Sequence, residues 1–163
     1  MQTRKLGKTG WDISAIGLGC MGLSHAFGTP LEKSEAADKV RAAFDMGYTF
    51  FDTAECYTGT NPDGTTAYNE EAVGMGIQGI RDKIILATKC GVIHSYSGLT
   101  MDSRPETIRR SIEGSLKRLK TDYVDLYYQH RVDPKVEPEV VAETMGELIK
   151  EGKIRAWGIY AVD

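Results

Sequence analysis

Four residues of this chain combine side-chain types and positions suited to moving a proton at a carbonyl group: Asp52, Tyr57, Lys89 and His130. Asp52 closes the run Tyr48-Thr49-Phe50-Phe51, and Tyr57 follows five residues later. Lys89 closes Lys83-Ile84-Ile85-Leu86-Ala87-Thr88, and His130 ends Tyr123-Val124-Asp125-Leu126-Tyr127-Tyr128-Gln129. A tyrosine of pKa ~10 is a poor acid at neutral pH. A neighbouring ammonium favours the phenolate and lowers that pKa. A buried lysine in turn needs a counter-ion, which Asp52 supplies. A histidine donates a hydrogen bond to an incoming carbonyl oxygen. These types make a general acid beside a polarising site for a carbonyl being reduced. Singly, each has a plainer use: an Asp that caps the next turn, a Lys that stays in solvent. Jointly, at the ends of three runs, they point to one cluster.

The elements that must position them follow from the hydrophobic pattern. Thr3-Arg4-Lys5-Leu6 and Trp11-Asp12-Ile13-Ser14 flank Gly7-Lys8-Thr9-Gly10 and predict a hairpin over about 3–14. Ala15-Ile16-Gly17-Leu18-Gly19 predicts a short buried strand. Leu31 to Met46 carries Ala36, Ala37, Val40, Ala43 and Phe44 at helical spacing, with Gly47 as its stop. Asn69 predicts an N-cap ahead of Glu70 and Glu71. Ser103 predicts another, with Pro105 in the first turn and Ile108, Ile112, Leu116 and Leu119 as an apolar stripe. A helix from Pro138 to Lys150 presents Val141, Met145, Leu148 and Ile149, and a last strand runs from Lys153 to Tyr160. Strands therefore alternate with helices, and their cores are apolar runs, which predicts a parallel sheet covered by helices. Two architectures fit: a five-stranded flavodoxin-like sheet, or the first five strands of an eight-stranded (β/α)8 barrel of ~250 residues. In both, the carboxyl ends of the strands face the site.

Composition narrows the classes. At 163 residues a single domain over 1–163 is expected, and 41% hydrophobic with 26% charged residues excludes disorder and coiled coil. A net charge of −3 gives no electrostatic footprint for nucleic acid. No apolar run approaches the ~18 residues of a membrane span, and no secretory h-region follows the first five residues. Three cysteines, Cys20, Cys56 and Cys90, read as reduced thiols of a cytoplasmic protein; their spacing matches no zinc pattern. Gly17-Leu18-Gly19-Cys20-Met21-Gly22 has G-x-G-x-x-G spacing, but no helix follows at once, so it is not a dinucleotide fingerprint. His25 and His94 fall in predicted loops and are expected in solvent, while Trp11 and Trp157 are expected to pack. The turn-rich stretch Thr58 to Thr65 predicts a mobile surface loop near the mouth.

Several stretches resemble the aldo-keto reductases: Arg4-Lys5-Leu6-Gly7, Ile16-Gly17-Leu18-Gly19, Phe51-Asp52-Thr53-Ala54-Glu55-Cys56-Tyr57, Ala87-Thr88-Lys89, Ser115 to Leu119, Asp122 to His130, and Gly152 to Gly158. The resemblance covers nearly the whole chain and implies an α/β fold of (β/α)8 TIM-barrel type. Here it is reduced to an N-terminal hairpin plus about five parallel strands and four helices. It implies NADP(H) as cofactor, no metal, and a small-molecule carbonyl substrate. Tyr57 would be the proton donor, with Lys89 lowering its pKa, Asp52 paired to Lys89, and His130 orienting the carbonyl. Gly19, Met21, Asp52 and Tyr160 would contact the cofactor.

Two departures qualify that expectation. The resemblance ends after the fifth strand, before the parts that hold most of the cofactor in the family. This chain is thus expected to be an N-terminal half, weakly active or inactive alone, with a homo-oligomer covering the open barrel face. A non-catalytic binding half-barrel or self-associating fragment is the alternative. The second departure is Tyr160, where the family has Ser beside the nicotinamide carboxamide. Its bulk either occludes that pocket or packs on the exposed sheet edge, and the edge is the expected place.

Overall fold

A computed structural model of the chain describes residues 1–95 and 98–161, so the last two residues of the expected 1–163 domain lie outside it. The hairpin forms as expected: β1 (Thr3–Lys5) pairs antiparallel with β2 (Asp12–Ser14). Gly7 and Gly10 take the positive φ that its turn requires. The alternating part follows as β3 (Leu18–Gly19), α1 (Lys33–Asp45), β4 (Phe50–Asp52), β5 (Thr58–Thr60), β6 (Thr66–Tyr68) and α2 (Asn69–Gly76). It continues with β7 (Ile85–Cys90), β8 (Val92–Ser95), β9 (Gly98–Met101), α3 (Pro105–Leu119), β10 (Val124–Gln129), α4 (Pro138–Lys150) and β11 (Ile154–Ile159).

The main sheet decides between the two architectures. Its order is β11-β10-β7-β4-β3, every pair parallel, so each new strand is added on the same side of the last. A flavodoxin-like sheet reverses direction after its first unit, giving order 2-1-3-4-5. Stepwise addition in one direction is instead the winding of a (β/α)8 barrel. These are five successive strands of that type with the four helices between them.

The core lies between the strands and the helices. Phe51, Leu86 and Tyr127 from β4, β7 and β10 meet Val40 of α1, Val73 of α2, Ile108 and Ile112 of α3, and Met145 and Leu148 of α4, all fully buried. Two predicted core positions differ. Ile149 is 40% exposed, because Val141, Met145 and Leu148 already fill the inner face of α4. The stretch Ala15 to Gly19 pairs over only two residues at the edge of the sheet, and Ile16 is 60% exposed. Below the strands, buried Asp125 accepts from the Leu86 amide and pairs with Arg81 at 2.7 Å and Arg155 at 3.0 Å. That set satisfies a carboxylate that would otherwise be costly inside the fold.

Two glycines let α2 settle against its neighbours. A Cβ on Gly74 would lie 2.5 Å from the Arg118 carbonyl oxygen and 2.7 Å from the Leu119 Cα. On Gly76 it would lie 2.7 Å from the Val40 Cβ and 2.8 Å from the Ala37 oxygen. Backbone atoms cannot yield as a side-chain tip can. Gly74→Ala is therefore expected to destabilise the protein by ~1–3 kcal/mol, the range of overpacking. Gly146→Ala in α4 meets nothing within 4 Å and is expected to be neutral or stabilising by up to ~1 kcal/mol. Thermal unfolding of the two variants checks the contrast; equal melting temperatures would sink it.

Candidate active site

The site is built around one buried ammonium. Lys89 lies in β7 with its side chain fully buried, and the neighbouring strand β4 ends at Asp52, opposite Ala87. Lys89 Nζ donates to Asp52 Oδ1 at 2.5 Å, to the Thr53 carbonyl at 2.8 Å and to Tyr57 Oη at 3.0 Å. An ammonium has three N–H donors, and all three are used. Burial pushes the Asp52 carboxyl up, and the Lys89 charge pulls it back.

Tyr57 is presented by a turn directly after β4. Its amide donates to the Ala54 carbonyl at 3.1 Å, and the Glu55 amide donates to the Lys89 carbonyl at 3.3 Å. Because Tyr57 Oη accepts from Lys89, its own proton is free to point elsewhere. The expected lowering of its pKa is not found. Burial raises the phenol well above its ordinary value, and the Asp52 carboxylate adds to the rise. The ammonium that would oppose this already has a carboxylate 2.5 Å away. The resting tyrosine is therefore a neutral phenol with a proton to give.

His130 follows β10, its amide donating to the Cys90 carbonyl at 2.9 Å. Its ring stands edge-on to Tyr57, centroids 5.7 Å apart, and its Nδ1 lies 3.4 Å from Cys56 Sγ. Burial pushes its pKa down to about 4, with Lys89 contributing, so the imidazole is neutral at physiological pH. The structure thus brings Asp52, Tyr57, Lys89 and His130 together at the carboxyl ends of β4, β7 and β10.

Tyr160 is brought to the same place and not to the outer edge. Its ring lies 4.9 Å from Lys89 Nζ and packs edge-on against His130 at 5.5 Å and Tyr128 at 5.7 Å. The amide of Tyr160 donates to the Gln129 carbonyl, which continues the β10–β11 pairing and turns the ring inward. A cation over an aromatic face is a favourable contact, and the Lys89 ammonium supplies one for this ring. Gly19 ends β3 in the open, where a Cβ would meet nothing within 4 Å. Met21 packs behind the Tyr57 turn, against Ala54, Cys56, Tyr57 and Val92. The site's open side accordingly has free space at Gly19 and an exposed aromatic ring at Tyr160. A planar aromatic group can stack on the exposed face of that ring, while the Tyr160 side chain itself fills part of the space beside His130 and Lys89.

Other residues differ from expectation. Asn69 is not an N-cap. It is the first residue of α2, fully buried, and its side chain ties together the segments that follow β3 and β4. Oδ1 accepts from Thr53 Oγ1 at 2.7 Å, while Nδ2 donates to the Cys20 carbonyl and to Ser24 Oγ, both at 2.8 Å. Ser103 also does not cap; its hydroxyl accepts from Gln129 Nε2. The segment after Tyr57 is the ordered hairpin β5–β6, paired from Thr58↔Tyr68 to Thr60↔Thr66. His25 is half-buried, not free in solvent, stacked on Tyr57 at 5.7 Å and bonded through Nδ1 to the Thr58 carbonyl at 2.6 Å. His94 stands edge-on to His25. All three cysteines are buried and free, and among the described residues no three His, Cys, Asp or Glu side chains gather as metal ligands.

The strand order and the helices between the strands define part of a (β/α)8-type barrel, with a buried Lys–Asp pair beside a tyrosine and a histidine at the carboxyl ends of its strands. Residues 15–163 match the model of the aldo/keto reductase family, and the chain belongs to that family. It is 39% identical over 161 residues to "Probable aldo-keto reductase 1" of Glycine max, covering 98% of this chain and 44% of that protein. It superposes on an aldo-keto reductase of Bacillus halodurans in its holo form with TM-score 0.82 and 32% identity, over 99% of this chain and 50% of that one. With the glycerol dehydrogenase of Gluconobacter oxydans the TM-score is 0.79 at 29% identity, over 96% of this chain and 47% of that one. The chain spans about half the length of the relatives it matches.

The electrostatics of His130 predict a pH dependence. Its folded pKa of about 4 lies below the ordinary 6.5, so between those values the unfolded state binds more protons and stability rises with pH. The contribution is complete above 6.5 and is lost as pH falls towards 4. The difference in unfolding free energy between the unaltered protein and His130→Gln is expected to shrink as pH falls through that window. A difference that stays flat would show that His130 titrates normally.

Proposed function

We propose that the protein carrying this chain reduces aldehydes or ketones, and oxidises the corresponding alcohols in reverse, with NADP(H). The observation that carries this reading is the Lys89 ammonium spending its three hydrogen bonds on Asp52, the Thr53 carbonyl and Tyr57. Bound NADPH would supply the hydride that the carbonyl carbon receives. Tyr57 gives its phenolic proton to the carbonyl oxygen, which completes the alcohol. Lys89 then holds the phenolate, and Asp52 fixes Lys89 in place. His130, neutral, donates a hydrogen bond to the same oxygen and orients it. Gly19, Met21, Asp52 and Tyr160 are the candidate cofactor contacts in this part of the protein.

The substrate class is a small carbonyl compound, and no helix of the described residues is long and apolar enough to cross a membrane. The buried free thiols suit the reducing cytoplasm, which we propose as the location. The test is NADPH consumption with a reactive aldehyde by the intact protein and by Tyr57→Phe. Loss of the general acid is expected to lower kcat/KM by ~10²–10⁴-fold while NADPH affinity is retained. Equal activity in the variant, or no NADPH binding by the unaltered protein, would overturn the reading.

A second reading rests on the sheet edges. β3 and β11 end the sheet, and Ile159 of β11 is exposed. Unpaired edges and apolar side chains favour association. Self-association of the 163-residue chain is expected to appear in sedimentation as a mass that rises with concentration. A constant monomer mass would exclude it.

A further inference from the structure

We infer that Cys56 is a positioning residue for His130: its thiol donates to His130 Nδ1 and so keeps the imidazole proton on Nε2, the nitrogen left to meet a carbonyl oxygen. The inference takes its functional meaning from the carbonyl reduction proposed above.

The geometry begins with Cys56 Sγ lying 3.4 Å from His130 Nδ1, within reach of an S–H···N bond. Both partners are held in place. Cys56 sits in the turn that presents Tyr57, is buried, and its carbonyl accepts from the Thr58 amide at 2.9 Å. The ring of His130 is clamped edge-on between Tyr57 at 5.7 Å and Tyr160 at 5.5 Å, and its amide is bonded to the Cys90 carbonyl. The imidazole therefore cannot swing away from the sulfur without breaking two aromatic contacts.

The direction of the bond follows from the charges. Burial, helped by the Glu55 carboxylate, pushes the thiol up to about 11, so it keeps its proton. Burial, helped by the Lys89 ammonium, pushes His130 down to about 4, so the ring carries one proton. Two arrangements remain. In one, S–H donates to a bare Nδ1 and Nε2 is protonated. In the other, Nδ1–H donates to sulfur and Nε2 is bare. The thiol is both a weak donor and a weak acceptor; the first arrangement sets its proton on the strong imidazole acceptor and leaves Nε2–H free to donate to an oxygen, so it is the one preferred. Only that arrangement gives a carbonyl oxygen a donor; the second would set a lone pair against it. A partner on one ring nitrogen selecting the state of the other is the general way histidine tautomers are fixed.

The test reads the tautomer directly, by nitrogen-15 NMR of the His130 ring in the intact protein, alongside NADPH-dependent reduction of a reactive aldehyde. The unaltered protein is expected to show Nε2–H. In Cys56→Ala the ratio of Nε2–H to Nδ1–H is expected to fall by ~2–10-fold, the worth of one net hydrogen bond. A parallel fall in kcat should accompany it. Cys56→Ser keeps an O–H donor on the same carbon and is expected to recover most of both, which separates the hydrogen bond from simple loss of packing. A proton on Nδ1 in the unaltered protein, or an unchanged ratio in Cys56→Ala, overturns the inference. A ratio that responds as described in a protein without carbonyl reductase activity upholds the Cys56–His130 bond and overturns the proposed function instead.

Discussion

Everything at the mouth of this sheet is arranged to keep one ammonium inside the protein. A lysine side chain with no solvent exposure has lost its hydration and must recover it from fixed oxygens. The chain provides three, each from the segment Asp52 to Tyr57, while the lysine itself comes from the next strand. The parallel pairing of β4 with β7 is what makes this possible. Asp52 lies opposite Ala87, and the Thr53 and Glu55 amides continue the ladder by donating to the Ala87 and Lys89 carbonyls. The backbone of the turn after β4 is thus laid along β7 until Tyr57 reaches over Nζ. A slip of one residue would send Lys89 to the helix-covered face.

The turn itself is held from the other side by Asn69. A buried amide has both an acceptor and two donors to satisfy. Asn69 satisfies them with Thr53 of the turn and with Cys20 and Ser24 beyond β3. The Asn69 amide also donates to the Tyr57 carbonyl, so both ends of the β5–β6 hairpin are tied at its base. Tyr57 is therefore fixed by a lysine above and an asparagine network behind, which is the rigid support that its proposed role as proton donor would need.

Much of this arrangement was legible in the residues, and the exceptions share a cause. Apolar runs that end in Asp52, Lys89 and His130 mark strand ends whatever the neighbours do, because a strand buried on both faces admits few polar residues. The helices from Lys33, Pro105 and Pro138 follow from local periodicity and local stops. What could not be read is where a polar side chain finds its partner when that partner is distant in sequence. Asn69 and Ser103 are ordinary N-cap types next to helix starts, yet Asn69 bonds to residues 16, 45 and 49 positions away and Ser103 to one 26 positions away. His25 and Tyr160 depart from expectation for the same reason: each is captured by an aromatic or cationic neighbour distant in sequence, Tyr57 and Lys89. The choice between flavodoxin-like and barrel winding also rests on strand order, which no local pattern encodes.

The raised pKa of Tyr57 bears on how such a site would work. A lysine that lowered the resting phenol's pKa would strengthen it as an acid but would also stabilise the phenolate before substrate arrived. Here the Asp52 carboxylate balances the ammonium, the phenol is neutral, and the imidazole and thiol beside it are neutral too. In the proposed reduction, a carbonyl entering the site would meet donor hydrogens and no net charge. Negative charge on Tyr57 appears only once its proton has moved, and at that moment the ammonium 3.0 Å away gains a second anionic partner. The interaction strengthens as the reaction proceeds and not before, and only such interactions accelerate a chemical step.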